Sequence, residues 1–188
     1  MQVWDIYHHS HVDSNASNKN VKSLSKLVRA DISAIGLDIP LKAICNVEFL
    51  CIDKYLNDIP VFLNLTHLEL VWWRGMNWHL ALAMLKQCSM LQSFFLDMIT
   101  STADLIWISP CFVPECLSSQ LRKCCITYYE GKESELQFVK YILENSRVLR
   151  TMAICTLSSL PLKVDKLKLL KELSLCPRSS PICELSFK

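Results

Sequence analysis

The segment LTHLEL, residues 65–70, decides the fold of this chain because apolar and polar residues alternate along it. Leu68 and Leu70 are two residues apart, and the polar residues His67 and Glu69 occupy the intervening positions. Side chains of a β-strand point alternately to the two sides of a sheet. The segment therefore predicts a half-buried strand whose leucines face a core, while His67 and Glu69 face the other way.

The same six-residue pattern recurs along the chain. Its leading positions are Val47, Leu65, Leu91, Leu121 and Leu149, and a weaker copy begins at Leu24 and runs through Leu27 and Val28 to Ile32. Successive copies are separated by 23, 18, 26, 30 and 28 residues. This is the pattern of leucine-rich repeats, each of which contributes one strand to a shared core. The asparagine that usually follows the strand is missing, so we expect an α/β solenoid built from irregular repeats.

The segments between the strands predict the returning helices. Residues 77–89 form one, with Asn77 as its N-cap, and residues 133–146 form the most regular one. A single helical turn is expected within residues 56–62. Residues 167–175 fit both a repeat strand and a helix. Several good helix formers and the stop supplied by Pro177 favour the helix.

The composition excludes several classes of function. The 188 residues are 51% hydrophobic and 20% charged, which indicates a folded core rather than disorder. Only 3 glycines are present, too few for phosphate-binding loops, and the net charge of +2 gives no reason to expect nucleic acid or a membrane surface as a partner. No apolar run is long enough to span a membrane, and the start of the chain does not resemble a signal peptide.

The 10 cysteines are interpreted as reduced structural thiols, most of them buried. They form no C-x-x-C pair and no zinc-module spacing, so no metal site is expected, and a cytoplasmic or nuclear location is favoured. The cluster of His8, His9 and His11 has two interpretations, a metal site or a solvated loop. The loop is favoured because no further ligand follows at a suitable spacing.

The sequence contains no recognisable catalytic constellation, and we expect neither enzymatic activity nor a cofactor. A pairing of His67 with one of the ten cysteines would supply a nucleophile and a base. With so many cysteines, such a pairing is expected by accident.

A second pattern occupies residues 107–187. Its conspicuous residues are Trp107, Pro110, Val113, Pro114, Cys116 and Leu117, then Gly131, and finally Pro177, Arg178, Ser180 and Cys183. The pattern resembles the FBD domain, a module at the C-terminus of many plant F-box proteins with leucine-rich repeats. The resemblance implies an irregular N-terminal segment (residues 1–20), irregular leucine-rich repeats (residues 21–106) and an FBD domain (residues 107–188). The resemblance also implies a helix at residues 167–175 and the last strand at residues 183–187. We interpret the conspicuous residues as specifying the fold rather than binding a ligand.

The resemblance implies a protein–protein interaction module, similar to the substrate-recognition part of an F-box subunit of a cullin-based ubiquitin ligase. Candidate partner-binding residues are His67, Glu69, Trp73, Arg74 and Phe95, on or beside the strand face that points away from the core. No F-box is found in the sequence, so contact with the ligase adaptor and cullin is expected only if an F-box lies upstream. Two alternatives remain open, a sensor that binds a small hormone-like ligand on the concave face and a non-functional fragment.

Overall fold

The computed structural model describes residues 2–5, 27–32, 41–53, 58–71, 77–99, 106–156 and 166–188, with residues 2–5 and 166–167 described by their backbone only. Eight strands form one parallel sheet, and they lie in the sheet in the order in which they occur in the chain. They are β1 (Gln2–Asp5), β2 (Leu27–Ile32), β3 (Phe49–Ile52), β4 (His67–Val71), β5 (Ser93–Asp97), β6 (Lys123–Thr127), β7 (Thr151–Ile154) and β8 (Glu184–Phe187).

The helices pack against one face of this sheet. They are a 3₁₀ helix at Leu41–Ile44, then α1 (Trp78–Lys86), α2 (Glu115–Ser119), α3 (Glu133–Asn145) and α4 (Lys166–Ser174). Their buried residues join one hydrophobic core with the inward residues of the strands. Across the described ranges, no helix combines the length and the apolar character that a membrane crossing requires. We call the sheet face that points away from these helices the open face.

The recurring pattern places the same kind of residue at the same point of successive strands. The leading positions Val47, Leu65, Leu91, Leu121 and Leu149 are all 0% exposed. The residue after each leading position forms a backbone hydrogen bond with the same position of the preceding repeat. Thr66 N donates to Glu48 O, and Arg150 N donates to Arg122 O. Each repeat therefore adds one strand and one buried anchor to a continuous core.

Two predicted helices are confirmed close to their expected bounds. Asn77 caps α1, since its side-chain oxygen accepts a hydrogen bond from Leu80 N at 3.1 Å. In α3, one face buries Phe138, Val139 and Ile142, all 0% exposed, against the sheet. The ambiguous segment near residue 170 is helical, as α4, and the last strand is β8, as expected.

The structure differs locally from the expectations at several points. Gln2–Asp5 is a strand rather than irregular chain, and the rest of residues 1–20 lies outside the described residues. Of the helical turn expected within residues 56–62, residues 58–62 are not helical, and residues 56–57 lie outside the described residues. The short helix α2 had not been expected, although Pro114 directly before it is a typical helix start. In β2, Leu27 and Ile32 are buried as the weaker copy of the pattern predicts, Ala30 is buried with them, and Val28 is 36% exposed.

All ten cysteines are unpaired, but fewer are buried than the sequence led us to expect. Five are buried, four are partly exposed and Cys111 is exposed. The difference arises because Cys51 and Cys125 occupy open-face positions of their strands, where alternation places every second side chain.

Candidate functional site

The open face is built by alternation within the strands. In β4, Leu68 and Leu70 are buried while His67 and Glu69 are partly exposed, and β5 repeats this with Phe95 on the open side. The parallel register sets His67 beside Phe49 of β3, and Glu69 beside Phe95. Side chains that are far apart in the chain therefore become neighbours on the open face.

Three of these side chains form an aromatic ladder, which consists of Phe49, His67 and Phe95. The ring centroids of Phe49 and His67 are 4.5 Å apart, with 15° between the planes. Those of His67 and Phe95 are 4.8 Å apart, with 29° between the planes. Stacking of this kind contributes about 0.5–1.5 kcal/mol for each aromatic pair. The ladder thus crosses three adjacent strands as a fixed row of rings.

One end of the ladder is covered by a cation from β2. The guanidinium carbon of Arg29 lies 3.7 Å from the centroid of the Phe49 ring. The same guanidinium donates to Asp31, from Nε to Oδ2 at 2.9 Å and from Nη2 to Oδ1 at 3.3 Å. A planar guanidinium is suited to stacking on a ring while its edge binds a carboxylate. This end of the ladder is therefore capped within the chain.

The other end of the ladder carries carboxylates instead. Glu69 Oε1 lies 3.3 Å from His67 Nε2, and the Glu69 side chain is 37% exposed. Asp97 follows Phe95 by two residues on the same strand, and its Oδ1 accepts a hydrogen bond from Thr127 Oγ1 at 2.6 Å. Among the described residues, no lysine or arginine forms an ion pair with Glu69 or Asp97. Lys188 lies near Cys125 of β6 and opposes the rise in the pKa of that thiol, so this end of the face carries two carboxylates and one lysine.

Two thiols on the open face are held in the protonated form. Burial, together with the nearby Glu69 carboxylate, raises the pKa of Cys51 to about 12. Burial also raises the pKa of Cys125 to about 11, with the neighbouring Cys155 adding to the effect. Because the thiolate is the nucleophile, these cysteines are poor candidates for covalent catalysis beside His67. The arrangement favours binding over nucleophilic chemistry.

The structure brings together three of the five candidate residues, His67, Glu69 and Phe95. Trp73 and Arg74 lie outside the described residues, as do His8, His9 and His11. Within the described ranges, no group of three potential ligands is arranged to hold a metal ion. Sequence reasoning missed Arg29, Asp31, Phe49 and Asp97. For Phe49 a signal was present in the sequence, because Phe49 and His67 share one position, directly before the second apolar residue of the repeat.

The conspicuous residues of the FBD-like region have packing partners. Trp107 lies between α1 and α3, with ring centroids 6.1 Å from Trp78, 6.0 Å from Phe138 and 5.7 Å from Tyr141. Near it, a pocket of about 410 Å³ is lined by α1 and by residues 108–112, including Pro110.

Pro114 begins α2, whose buried residues Cys116 and Leu117 are both 0% exposed. The Cys116 thiol donates to Leu85 O, at the end of α1, at 3.3 Å. This contact links the short helix to the previous repeat.

The end of the chain is fixed by hydrogen bonds from the closing motif. The buried Ser180 hydroxyl donates to Leu149 O at 2.6 Å, and Arg178 Nη1 donates to Cys183 O at 3.1 Å. Pro177 is exposed just beyond α4, and Cys183 is buried before β8. Gly131 has a φ of +80°, which other residues rarely adopt. These positions organise local structure and lie apart from the open face.

Comparison with known proteins matches the FBD family to residues 109–154. An F-box/FBD/LRR-repeat protein of Arabidopsis thaliana is 36% identical over 132 residues, which cover 67% of this chain and 30% of that protein. An FBD-associated F-box protein of Arabidopsis thaliana is 30% identical over 187 residues, which cover 94% of this chain and 44% of that protein. The chain spans less than half the length of these two curated relatives.

No solved structure matches the chain. The family match lies within the region that carries the proline, tryptophan and glycine motif, and the longer alignment also includes the repeats. The chain therefore carries an FBD domain and is related to the FBD-associated F-box proteins of plants.

Proposed function

We propose that this chain is a protein–protein interaction module that binds a protein target through its open face. The fold we propose is an irregular leucine-rich-repeat solenoid that continues into the FBD domain. The consecutive parallel strands and the repeat names of the relatives support this proposal. A solenoid's strand face is an extended surface, and such surfaces commonly bind partners.

The observation that carries the proposal is the aromatic ladder with its flanking charges. Phe49, His67 and Phe95 are held in register by three strands, so their contact area is ordered before a partner arrives. Aromatic and arginine side chains are the residues that most often dominate binding energy at interfaces. A preformed row of rings costs little conformational entropy on binding.

By analogy with the F-box names of its relatives, we propose that the target is a substrate of a cullin-based ubiquitin ligase, recognised in the cytoplasm or nucleus. The chain's role is then recognition rather than catalysis. The ligase adaptor and cullin bind through an F-box, so we expect them as partners only if an F-box lies upstream of this region.

The test is affinity purification of the tagged chain from plant cells. A variant that combines His67→Ala, Glu69→Lys and Phe95→Ala should lose proteins that the unmodified chain retains. A matched variant on the helix side, with His79→Ala and Glu144→Lys, should retain them, because both side chains are exposed far from the ladder. Circular dichroism verifies that all three proteins are folded. Equal recovery with the ladder variant would remove the open face from consideration.

A further inference from the structure

The two ends of the aromatic ladder are chemically similar but differently occupied. At the β2 end, a ring and a carboxylate together hold a guanidinium, through Phe49, Asp31 and Arg29. At the β6 end, Phe95 has carboxylates on two sides. Glu69 is its register neighbour on β4, and Asp97 follows it by two residues along β5. The chain thus holds one guanidinium against a ring and a carboxylate, and it places a second ring, Phe95, two residues before Asp97 in the same strand.

The outer side of Phe95 has room for another group. Its ring stacks on His67 toward β4, so its other side faces β6, where the register neighbour is Cys125. Within the described ranges, the cation–ring contacts involve Phe49 and Phe112, and no cation lies over Phe95. The exposed Lys123 is on β6 but pairs with Ser93, two residues before Phe95, and Lys188, which follows β8, lies near Cys125. A planar group can therefore stack on Phe95 above the small Cys125 side chain.

The charged residues near Phe95 indicate which chemical group would stack on its ring. Glu69 contacts the His67 ring and the Cys51 thiol, and Asp97 accepts a hydrogen bond from the Thr127 hydroxyl. A carboxylate beside a ring attracts a cation, and a guanidinium fits better than an ammonium because it stacks and donates in one plane. The internal pair of Arg29 with Phe49 shows this geometry on the same sheet face.

We propose that the partner of the open face presents an arginine side chain, which stacks on the β6 side of Phe95 and donates to Asp97. This inference rests on the proposed function and names the chemistry of the partner. The binding segment is an exposed part of a protein, with one arginine as its anchor at the β6 end of the ladder.

The experiment titrates the isotopically labelled chain with Nα-acetyl-arginine N-methylamide and follows NMR shifts. The neutral isostere, Nα-acetyl-citrulline N-methylamide, and the lysine analogue serve as matched probes. We expect the arginine probe to shift signals of Phe95, Asp97 and Cys125, and to bind about three- to fivefold more tightly than either other probe. Equal binding by citrulline would overturn the charge argument, and equal binding by lysine would overturn the assignment of a guanidinium.

Variants localise the probe. Asp97→Asn and Phe95→Leu should each weaken binding by about three- to fivefold, whereas Glu144→Gln on α3 should leave it unchanged. Asp97→Asn keeps the size of the side chain, so it tests the charge even if Phe95→Leu disturbs the strand. Shifts confined to another surface, or binding unaffected by Asp97→Asn, would overturn the proposal.

A protein target captured through the open face allows this inference and the proposed function to be tested separately. If replacing each of its arginines in turn leaves its binding intact, this inference fails and the proposed function stands. If the arginine probe binds at Phe95 but no target depends on the ladder, the proposed function fails.

Discussion

Gly131 and Leu169 are in direct contact across the junction between the α3 loop and α4. A Cβ atom at residue 131 would lie 2.4 Å from Leu169 Cδ2 and 3.0 Å from Cδ1. Gly131 also has a φ of +80°. Two independent constraints, the backbone conformation and the packing of Leu169, therefore require glycine at this position.

Gly131→Ala should lower the free energy of unfolding by about 1–3 kcal/mol, because the methyl group adds both backbone strain and a steric overlap. Urea denaturation of the purified chain measures the change. Leu169→Ala is the matched second substitution, since it removes the atoms that the new methyl group would meet.

In the Leu169→Ala background, the added cost of Gly131→Ala should fall to the cost of the strained backbone, about 1 kcal/mol. A cost that is the same in both backgrounds would show that Leu169 plays no part, since independent sites are additive.

The helix α3 provides a test of core packing. Leu143 is 1% exposed, and its neighbour Glu144 is exposed. Leu143→Ala should lower the free energy of unfolding by about 2–5 kcal/mol, because it removes buried methyl groups and leaves a cavity. Glu144→Ala should change it by less than about 0.5 kcal/mol. Equal effects at the two positions would contradict the orientation of α3.

The strands were predictable because their signal is local. Alternation within six residues identified Leu68 and Leu70 as buried, and both are. The repeat spacing then placed β3 to β7 in order without any knowledge of the sheet. The helix α1 was equally accessible, because Asn77 marks its start and apolar residues recur at three- and four-residue steps.

The composition of the candidate site could not be predicted from the sequence in the same way. Alternation alone could assign His67, Glu69 and Phe95 to the open face. The stacking of His67 on Phe49 depends instead on the register between two strands that are 18 residues apart along the chain. The hydrogen bond from Thr66 to Glu48 O joins the same two segments. The pairing of Arg29 with Phe49 is similarly non-local. The five-residue α2 was missed because it is too short to show a helical period.

The cysteines predict an order of chemical modification. Cys111 is exposed, whereas Cys88, Cys116, Cys124, Cys176 and Cys183 are buried. Burial raises the pKa of the Cys116 thiol to about 12, so that group is both inaccessible and protonated. In a pulse of iodoacetamide at neutral pH, peptide mass spectrometry should find Cys111 alkylated first.

After denaturation all ten cysteines should react. Labelling of Cys124 at the same rate as Cys111 in the native protein would contradict the described core. Recovery of a Cys–Cys peptide from protein kept under reducing conditions would contradict the assignment of free thiols.

The buried carboxylate of Glu135 predicts a dependence of stability on pH. Glu135 is 2% exposed, and its Oε2 accepts hydrogen bonds from the backbone N–H groups of Glu130 and Gly131 at 2.9 Å and of Lys132 at 3.2 Å. Burial raises its pKa above the ordinary 4.5, although these three hydrogen bonds oppose the shift. The folded chain therefore holds a proton on Glu135 at pH values where the unfolded chain has lost it.

The direction of the effect follows from this difference in bound protons. The stabilising contribution of protonated Glu135 is fully present below the unfolded pKa, near 4.5, and is lost as the pH rises through the raised pKa of the folded state. Glu135→Gln removes the titration. The unfolding free energy of the unmodified chain minus that of Glu135→Gln should thus decrease as the pH rises from about 4 toward neutrality.

Urea denaturation at intervals between about pH 4 and pH 8 measures this difference, and Glu144→Gln, an exposed position of the same helix, supplies the baseline. Because the same subtraction is made for both variants, titrations elsewhere in the chain cancel. A difference that rises with pH would mean that the three backbone donors outweigh burial and that the carboxylate is ionised as it caps α3. A flat difference would mean that Glu135 has the same pKa in the folded and unfolded chain.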